Sequence, residues 1–298
     1  MKLVVFKRRA DAGRSATGYR IGALLDDGRI ADLTLEFLGS GLSQTDILKC
    51  WDLALDFLTP AQRAISDGSA VIIERSDVSI EAPVPRPGKL ICVGLNYRDH
   101  AEESGMAIPA SPIIFSKFST SVIGPEAAIE LPVGSSEVDY EAELAVVIGR
   151  YGRNIPAGDA MAYVFGYTNI NDVSARDMQF ADGQWQRGKS CDTFAPMGEF
   201  IATADEIADP HGLRISFRLN GETLQDSNTK QMIFQIPELI EFISRTITLE
   251  PGDVIATGTP PGVGFARTPK VFLRSGDVSE VEIEGLGVLR NPVIQRWM

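Results

Sequence analysis

Short apolar segments separated by turn residues dominate the chain after residue 88, and this pattern constrains the fold more than any other feature. The segments that favour strands are Lys89–Val93, Pro112–Lys117, Glu141–Ile148, Tyr163–Ile170, Leu213–Leu219, Val254–Thr257, Val271–Leu273 and Glu280–Ile283. Helical patterns are few and cover 98–104, 158–162, 203–208 and 236–245. Short strands at close spacing are typical of an antiparallel sandwich or roll. The sequence therefore predicts a mainly β fold with some α-helix.

A proline-rich segment, EAPVPRPG at 81–88, marks a predicted domain boundary because alternate prolines favour extended chain and oppose helix. We therefore expect a small N-terminal α+β domain over 1–80 and a catalytic domain over 81–298. The N-terminal part contains a predicted hairpin of Gly18–Leu25 and Arg29–Leu33, and a short strand at Val71–Ile73. Apolar spacing predicts a helix over 44–58, with Ser43 as its cap.

The net charge and the small numbers of histidine and cysteine residues argue against several classes of protein. The 298 residues hold 28 Lys+Arg against 40 Asp+Glu, a net charge of −12, which argues against a nucleic-acid partner. Two histidines, His100 and His211, cannot form a three-histidine zinc site. The three cysteines form no CxxC pair. His211 follows Asp209 and Pro210 in a predicted turn, and we expect it at the surface.

No apolar run is long enough for a membrane span. Leu144–Gly149, one of the longest, is far shorter than the roughly 20 residues that a transmembrane helix needs. Near the N-terminus, Leu3–Phe6 is too short for the apolar part of a signal peptide. These observations predict a cytoplasmic protein without a membrane partner.

Acidic residues alternate where the strand predicted over Glu141–Ile148 begins. Asp139, Glu141 and Glu143 are two apart, so on a strand they would share one side. Carboxylates at that spacing raise one another's pKa, and a divalent cation would remove the conflict. The alternative is an exposed strand face on which acidic and apolar residues alternate.

Asp172 lies just after the strand predicted over Tyr163–Ile170, where rigid elements present ligands into a cleft. Three carboxylates without a histidine cage would form an all-oxygen site. Such a site suits Mg²⁺, Mn²⁺ or Ca²⁺ better than zinc or copper. The alternative role of Asp172 is to cap a helix over Val173–Gln179.

His100 and Glu103 are three residues apart in a predicted short helix that follows Gly94, so they share one helical face. A carboxylate beside an imidazole orients the ring and supports its protonated form, as a general base requires. The alternative is an exposed helix with an incidental ion pair.

Two loops carry further polar groups. Lys189, between Gly188 and Ser190, could reach an anionic ligand, or it could be a solvated loop lysine. The glycine- and proline-rich loop TGTPPGVG, 257–264, could hold a carboxylate through its hydroxyls and backbone amides. It is not a phosphate loop, because it lacks the Gly-Lys-Ser/Thr ending and a following helix.

Five motifs occur in order: GLNYRDHAEE, DYEAELAVVIG, NDVSARDMQ, GKSCDTFAPMG and TGTPPGVG. Together they resemble the fumarylacetoacetate hydrolase (FAH) superfamily over about residues 88–295. The combination of GQW, GKSCDTF and TGTPPGVG is most similar to the bacterial branch with 2,4-diketo-3-deoxy-L-fuconate hydrolases and related acylpyruvate-type enzymes. The resemblance implies a mixed β-sandwich roll of the FAH C-terminal type, a homodimer and a small anionic keto-acid substrate.

The resemblance also implies site residues. Glu141, Glu143 and Asp172 match the ligands of a Mg²⁺ or Mn²⁺ ion, with Ca²⁺ as a further option, whereas Asp139 is not expected to bind metal. The expected catalytic residues are His100, Glu103, Lys189 and Gln179. The expected substrate-binding residues are Thr259, Arg98, Gly94 and Arg187.

The main functional prediction is a metal-dependent hydrolase that cleaves a C–C bond of a β-diketo acid, such as an acylpyruvate, a fumarylpyruvate or a 2,4-diketo-3-deoxy sugar acid. His100 would activate water, and Lys189 with Gln179 would stabilise the oxyanion. The alternative is a decarboxylase or a tautomerase/isomerase of oxaloacetate or 2-hydroxy-dienedioate type on the same metal–enolate site. A third reading is a Ca²⁺-stabilised binding module, which leaves Lys189 and His100 without a role.

Overall fold

The computed structural model describes residues 1–9, 18–35, 54–181 and 183–295. The strands are β1 Lys2–Arg8, β2 Arg20–Leu24, β3 Ile30–Asp32, β4 Val71–Ile73, β5 Val78–Glu81, β6 Leu90–Gly94, β7 Ile113–Lys117, β8 Val122–Ile123, β9 Ile129–Leu131, β10 Val138–Asp139, β11 Ala142–Ile148, β12 Val164–Asn171, β13 Ser174–Ala175, β14 Ala195–Pro196, β15 Ile201–Thr203, β16 Arg214–Leu219, β17 Glu222–Asn228, β18 Val254–Ala256, β19 Val278–Ile283 and β20 Gly287–Gln295.

Helices are short in the described part of the chain. The α-helices are α1 Ala54–Ser66, α2 Arg98–Glu103, α3 Arg176–Gln179, α4 Gln186–Lys189 and α5 Ile236–Ser244. Turns of 3₁₀-helix cover Arg75–Asp77, Ser119–Ser121, Ala157–Tyr163, Ala204–Glu206, Thr229–Gln231 and Gly264–Ala266. The protein is therefore mainly β with some α, as the sequence predicts.

A mixed sheet forms the centre of the molecule. Its strands follow the order β4-β3-β2-β1-β15-β12-β11-β18-β6-β7, and β5 also pairs with β1. Most neighbours are antiparallel, but β18 and β6 are parallel. Along β11, Val146 and Val147 belong to different core clusters, because successive side chains of a strand point to opposite faces. The centre of the sheet is therefore buried on both faces.

A second sheet has the strand order β17-β16-β19-β20-β9 and packs against one face of the central sheet. Part of this contact is the Tyr140 ring, which stacks on Phe217 with a centroid distance of 4.0 Å. Two packed layers around a shared core form a mixed β-sandwich roll, the fold that the resemblance implies.

The N-terminal strands continue the central sheet. β1 pairs with β15 through Lys2 opposite Ala202 and Leu3 opposite Ile201. The predicted hairpin is present, since β2 and β3 are antiparallel neighbours. A domain boundary near residue 80 stays a prediction, and the hydrogen bonds between β1 and β15 show that the two parts share one sheet.

Several local predictions were wrong. Val271–Leu273 is not a strand, because its backbone is instead tied to a loop and to β10: Val271 donates to the Gly264 carbonyl and Leu273 donates to that of Val138. The helices predicted over 158–162 and 203–208 are 3₁₀ turns. Residues 44–53 of the helix predicted over 44–58 lie outside the described residues, and residues 54–58 belong to α1, which continues to Ser66.

Within the described ranges, every helix is too short or too polar to cross a membrane.

Candidate active site

Three carboxylates meet where β11 begins and β12 ends. The two strands are antiparallel with Ala142 opposite Asn171, so Glu141 and Asp172 are neighbours, and the Asp172 amide donates to the Glu141 carbonyl. Glu143 follows two residues along β11. One oxygen from each of Glu141, Glu143 and Asp172 lies within 4.8 Å of the others. All three are buried, so the alternative of an exposed acidic strand face is wrong.

Two buried cations neutralise Glu141. Lys189 Nζ lies 2.6 Å from Glu141 Oε2, and Arg176 Nη2 lies 2.6 Å from Glu141 Oε1. Burial alone would raise the pKa of Glu141, but the charges of Lys189 and Arg176 outweigh it and lower the pKa to about 2. Lys189 is only 2 % exposed, so the alternative of a solvated loop lysine is also wrong.

Asp172 binds two ammonium groups. Lys189 Nζ donates to its Oδ2 at 2.8 Å, and Lys117 Nζ donates to its Oδ1 at 2.5 Å. The helix expected to follow Asp172 begins only at Arg176, with Ala175 as its N-cap, so Asp172 does not cap it. Its carboxylate serves the charge cluster instead.

Glu143 differs from the other two carboxylates because no Lys or Arg side chain in the described part of the chain forms a salt bridge with it. Its Oε2 accepts a hydrogen bond of 2.9 Å from the backbone N–H of Gly258. Burial, together with the charges of Asp172 and Glu141, raises the pKa of Glu143 well above its usual range. Among the described residues, Glu143 is therefore the one member of the cluster without a directly paired Lys or Arg side chain.

These residues fit a hard divalent cation. The ligand atoms are carboxylate oxygens, which Mg²⁺, Mn²⁺ and Ca²⁺ prefer. An ionised carboxylate has about four lone-pair sites, so Glu141 and Asp172 can accept from Lys189 and still bind an ion. A divalent cation would also supply the positive charge that Glu143 lacks.

Asp139 has a separate role. Its Oδ1 accepts from the Gly264 amide at 2.7 Å, and its Oδ2 accepts from the Phe265 amide at 3.0 Å and from Arg176 Nε at 2.9 Å. Asp139 thus anchors Arg176 and the turn at Gly264–Ala266. It is not part of the cluster formed by Glu141, Glu143 and Asp172, and the expectation that it does not bind metal stays a prediction.

Sequence reasoning missed Lys117 and Arg176. Lys117 ends a strand and has no motif around it, and 55 residues separate it from Asp172. Arg176 lies inside the NDVSARDMQ motif, so its position in that motif was a usable signal. Its guanidinium bridges Asp139 and Glu141 and donates to Gln179 Oε1 at 3.0 Å.

The predicted histidine–glutamate pair is present on α2. His100 Nδ1 lies 3.3 Å from Glu103 Oε2, and the two side chains are 14 % and 29 % exposed. The backbone N–H of Gly262 donates to both Glu103 carboxylate oxygens at 3.0 Å. Gly262 has φ +97°, and a Cβ there would meet the Leu224 carbonyl oxygen at 2.0 Å, so this contact needs glycine.

The 257–264 loop binds the protein's own carboxylates through three backbone amides: Gly258 to Glu143, Gly262 to Glu103 and Gly264 to Asp139. Thr259 Oγ1 accepts from Gln225 Nε2 at 2.9 Å, and Gln225 also accepts from the Ala142 amide. The loop therefore joins the metal-ligand strand to the histidine–glutamate pair.

Many of these groups line one cavity of about 420 Å³. The predicted site residues that line it are Gly94, His100, Glu103, Glu141, Glu143, Gln179, Lys189 and Thr259. Asp172 lies behind this wall and contacts Lys189. Arg98 and Arg187 are not among the described residues that line the cavity, so their contact with substrate stays a prediction.

Comparisons with known proteins agree with this architecture. Residues 89–294 match the family model described as fumarylacetoacetate (FAA) hydrolase C-terminal. Oxaloacetate tautomerase Fahd2a, mitochondrial, from Rattus norvegicus is 54% identical over 238 residues, 80% of this chain and 76% of that protein. Oxaloacetate tautomerase fahd2, mitochondrial, from Xenopus laevis is 46% identical over 297 residues, 99% and 90% of the two chains.

One similar solved structure contains a metal ion and a small 2-oxo acid. The crystal structure of maleylpyruvate hydrolase from Sphingobium sp. SYK-6 in complex with manganese(II) ion and pyruvate has a TM-score of 0.81 and 30% identity, covering 100% of both chains.

The comparisons correct two predictions. Hydrolysis of a carbon–carbon bond was wrong as the main prediction, since relatives of 46% to 54% identity are named oxaloacetate tautomerases. Those names agree with the tautomerase alternative. The prediction of a cytoplasmic location was also wrong, because the same relatives are named as mitochondrial proteins. The location had been predicted from the lack of a long apolar run and from the short apolar segment Leu3–Phe6.

Proposed function

Because the chain belongs to the fumarylacetoacetate hydrolase family, we propose that it is an oxaloacetate tautomerase that uses Mg²⁺ or Mn²⁺ held by Glu141, Glu143 and Asp172. The observation that carries the proposal is the identity of 46% to 54% with oxaloacetate tautomerases over 76% to 90% of their length. The homodimer implied by the sequence resemblance stays a prediction.

The charge of the buried cluster supports an anionic substrate. Asp139, Glu141, Glu143 and Asp172 are buried carboxylates, and the buried cations beside them are Lys117, Arg176 and Lys189. The three-carboxylate cluster, Asp139 and these three cations together carry four negative and three positive charges, a net charge of −1. A divalent cation turns that balance net positive, which favours the binding of a dicarboxylate.

Two side chains can orient the substrate. Gln179 uses its Oε1 to accept from Arg176, so its amide N–H groups are left as donors toward the cavity. Thr259 uses its oxygen to accept from Gln225, so its hydroxyl hydrogen is left to donate. Both donors suit a substrate carboxylate.

A bound divalent cation supplies Lewis-acid stabilisation of the developing enolate oxygen. The chain's own contribution is proton transfer. Tautomerisation moves one proton between C3 and the oxygen on C2, breaks no C–C bond and consumes no water. Glu103 faces Nδ1 of His100, so Nδ1–H donates to Glu103 and Nε2 exchanges the proton with substrate.

Product analysis tests the proposal. Purified protein with Mg²⁺ or Mn²⁺ is mixed with enol-oxaloacetate, and the ultraviolet absorbance of the enol is followed while pyruvate and CO₂ are assayed. We expect faster enol decay without a matching gain of pyruvate or CO₂. Hydrolysis would instead be established by two results together. An acylpyruvate would yield equal amounts of pyruvate and a second acid, and enol-oxaloacetate would decay at the uncatalysed rate.

A further inference from the structure

A pair of aromatic rings separates the active-site cavity from a second space. Phe115 on β7 and Trp185 just before α4 meet edge to face, with ring centroids 5.6 Å apart and planes at 71°. Both residues line the active-site cavity, and both also line an adjoining groove of about 420 Å³. The two rings are therefore a wall shared by both spaces.

The adjoining groove is apolar along its strand side. Its lining includes Ile91 on β6, Ile113 and Ile114 on β7, and Ile247. Its polar lining includes Ser116 and Gln186, which hydrogen-bond to each other at 3.1 Å. An alkyl chain would find aliphatic contacts there, whereas the carboxylate cluster lies on the other side of the rings.

The position of the Trp185 indole depends on Gly94. A Cβ at residue 94 would lie 2.7 Å from Cζ3 and 3.2 Å from Cη2 of Trp185, closer than carbon atoms normally approach. The indole therefore packs directly on the backbone where β6 ends. Phe115, its ring partner, lies with its ring centroid 5.0 Å from the Lys189 ammonium group.

We propose that Trp185 limits the length of the substrate: its indole closes the cavity beyond the 2-oxo acid group and excludes chains that would extend into the Ile113–Ile114 groove. The inference rests on the proposed function, because it takes a 2-oxo acid as the ligand of the cavity. It makes Trp185 a specificity-determining residue, whereas proton transfer belongs to His100. Removal of the indole joins the two spaces into one.

Calorimetry of ligand binding tests this wall. Pyruvate, 2-oxohexanoate and 2-oxooctanoate are titrated into Mg²⁺-loaded wild type, Trp185→Ala, Trp185→Leu and Phe180→Ala. Phe180 lines the active-site cavity but not the groove, so Phe180→Ala is the matched loss of an aromatic ring. Wild type should bind 2-oxooctanoate more weakly than pyruvate.

Both Trp185 variants should bind 2-oxooctanoate at least about tenfold more tightly than wild type does, because buried methylene groups strengthen binding. Phe180→Ala should show no such gain. Any of three results overturns the inference. The first is an unchanged chain-length preference in a folded Trp185 variant, the second is an equal gain in Phe180→Ala, and the third is no binding of any 2-oxo acid.

The same preparations are assayed for oxaloacetate tautomerisation, which keeps the two hypotheses apart. Tautomerisation by wild type with no change of length preference in the Trp185 variants would reject the wall alone. A changed length preference in a protein without tautomerase activity would reject the proposed function alone.

Discussion

Glu103 receives the backbone N–H of Gly262 on both carboxylate oxygens at 3.0 Å, while its Oε2 lies 3.3 Å from His100 Nδ1. The glycine loop therefore fixes the carboxylate beside the His100 imidazole, the proposed proton-transfer group. Neither motif shows this connection in the sequence, since 159 residues separate the two groups.

Glu103→Gln tests this relationship. A glutamine side chain can still accept from Gly262, but it lacks the negative charge that supports protonated His100. We expect kcat for oxaloacetate tautomerisation to fall by about 10-fold to 100-fold, within the range of general acid–base contributions. Steady-state kinetics measures this, with exposed Glu102→Gln as the control. Equal rates in Glu103→Gln and Glu102→Gln would contradict the role.

Glu143→Gln tests the metal site without an activity assay. In the metal-free protein, burial and the charges of Asp172 and Glu141 raise the pKa of the Glu143 carboxyl, which shows that a negative charge is unfavourable there. Because Glu143→Gln removes this carboxyl, the melting temperature of the metal-free protein should not fall. Wild type should be stabilised by Mg²⁺ by roughly 2.7 kcal/mol at a free concentration 100 times Kd.

Glu143→Gln should lose most of that metal-induced stabilisation, as read by thermal unfolding with and without Mg²⁺. Glu222→Gln, at an exposed position of β17, is the control and should respond as wild type. Full Mg²⁺ stabilisation of Glu143→Gln would remove this residue from the ligand set.

Lys117→Met addresses the lysine that the sequence did not reveal. Its ammonium group binds Asp172 Oδ1 and the Val173 carbonyl in a fully buried position. Loss of one partner of a buried pair costs roughly 3–5 kcal/mol, so metal-free Lys117→Met should unfold at lower denaturant. Since one positive charge is removed beside a metal ligand, Mg²⁺ should bind more tightly.

Chemical unfolding and Mg²⁺ titration of the same Lys117→Met samples give both quantities. Exposed Lys230→Met serves as the control. Weaker Mg²⁺ binding in Lys117→Met than in the control would show that Lys117 supports the ion rather than competing with it.

His211 gives a pH dependence of stability away from the active site. Its Nε2 accepts a 3.2 Å hydrogen bond from the Ile236 amide at the start of α5, which requires the neutral ring. Burial lowers the pKa of His211 below its usual value, although Asp209 and Glu238 oppose this. Sequence reasoning had placed His211 at the surface, whereas its side chain is 18 % exposed.

Because the pKa of His211 is lower in the folded state than in the unfolded state, the unfolded state binds more protons in the window between them. The stabilising contribution is therefore present above about pH 6.5 and is lost as pH falls through the lower folded-state pKa. His211→Gln keeps an acceptor for Ile236 without titrating. In denaturant unfolding between pH 8 and pH 5, the free energy of unfolding should fall less steeply with falling pH in this variant than in wild type. An identical fall in both proteins would contradict the assignment.

Strands rich in Val and Ile were predictable, because their apolar runs match the buried faces of a sheet. β17, ETLQDSN, was missed because its polar residues favour turns, and its pairing with β16 decides its conformation. β20 contains Asn291 and Pro292 yet pairs with β19 over residues 287–292. Pairing with the strand that precedes it in the chain overrides local preference in both cases.

The carboxylate cluster was predictable because short motifs carry Glu141, Glu143 and Asp172. Lys117 was not, since its role arises only when β7 is brought beside the end of β12. The reaction was also not predictable from these residues, because hydrolysis and tautomerisation both use a metal-bound enolate and a proton-transfer group.

The most direct test of the central claim compares wild type with His100→Ala, both saturated with Mg²⁺, in the decay of enol-oxaloacetate. The account predicts that His100→Ala keeps the Mg²⁺-induced rise in melting temperature but tautomerises about 10²-fold to 10⁴-fold more slowly. Enol decay in Mg²⁺-bound His100→Ala at the wild-type rate would contradict proton transfer by His100 in this cavity.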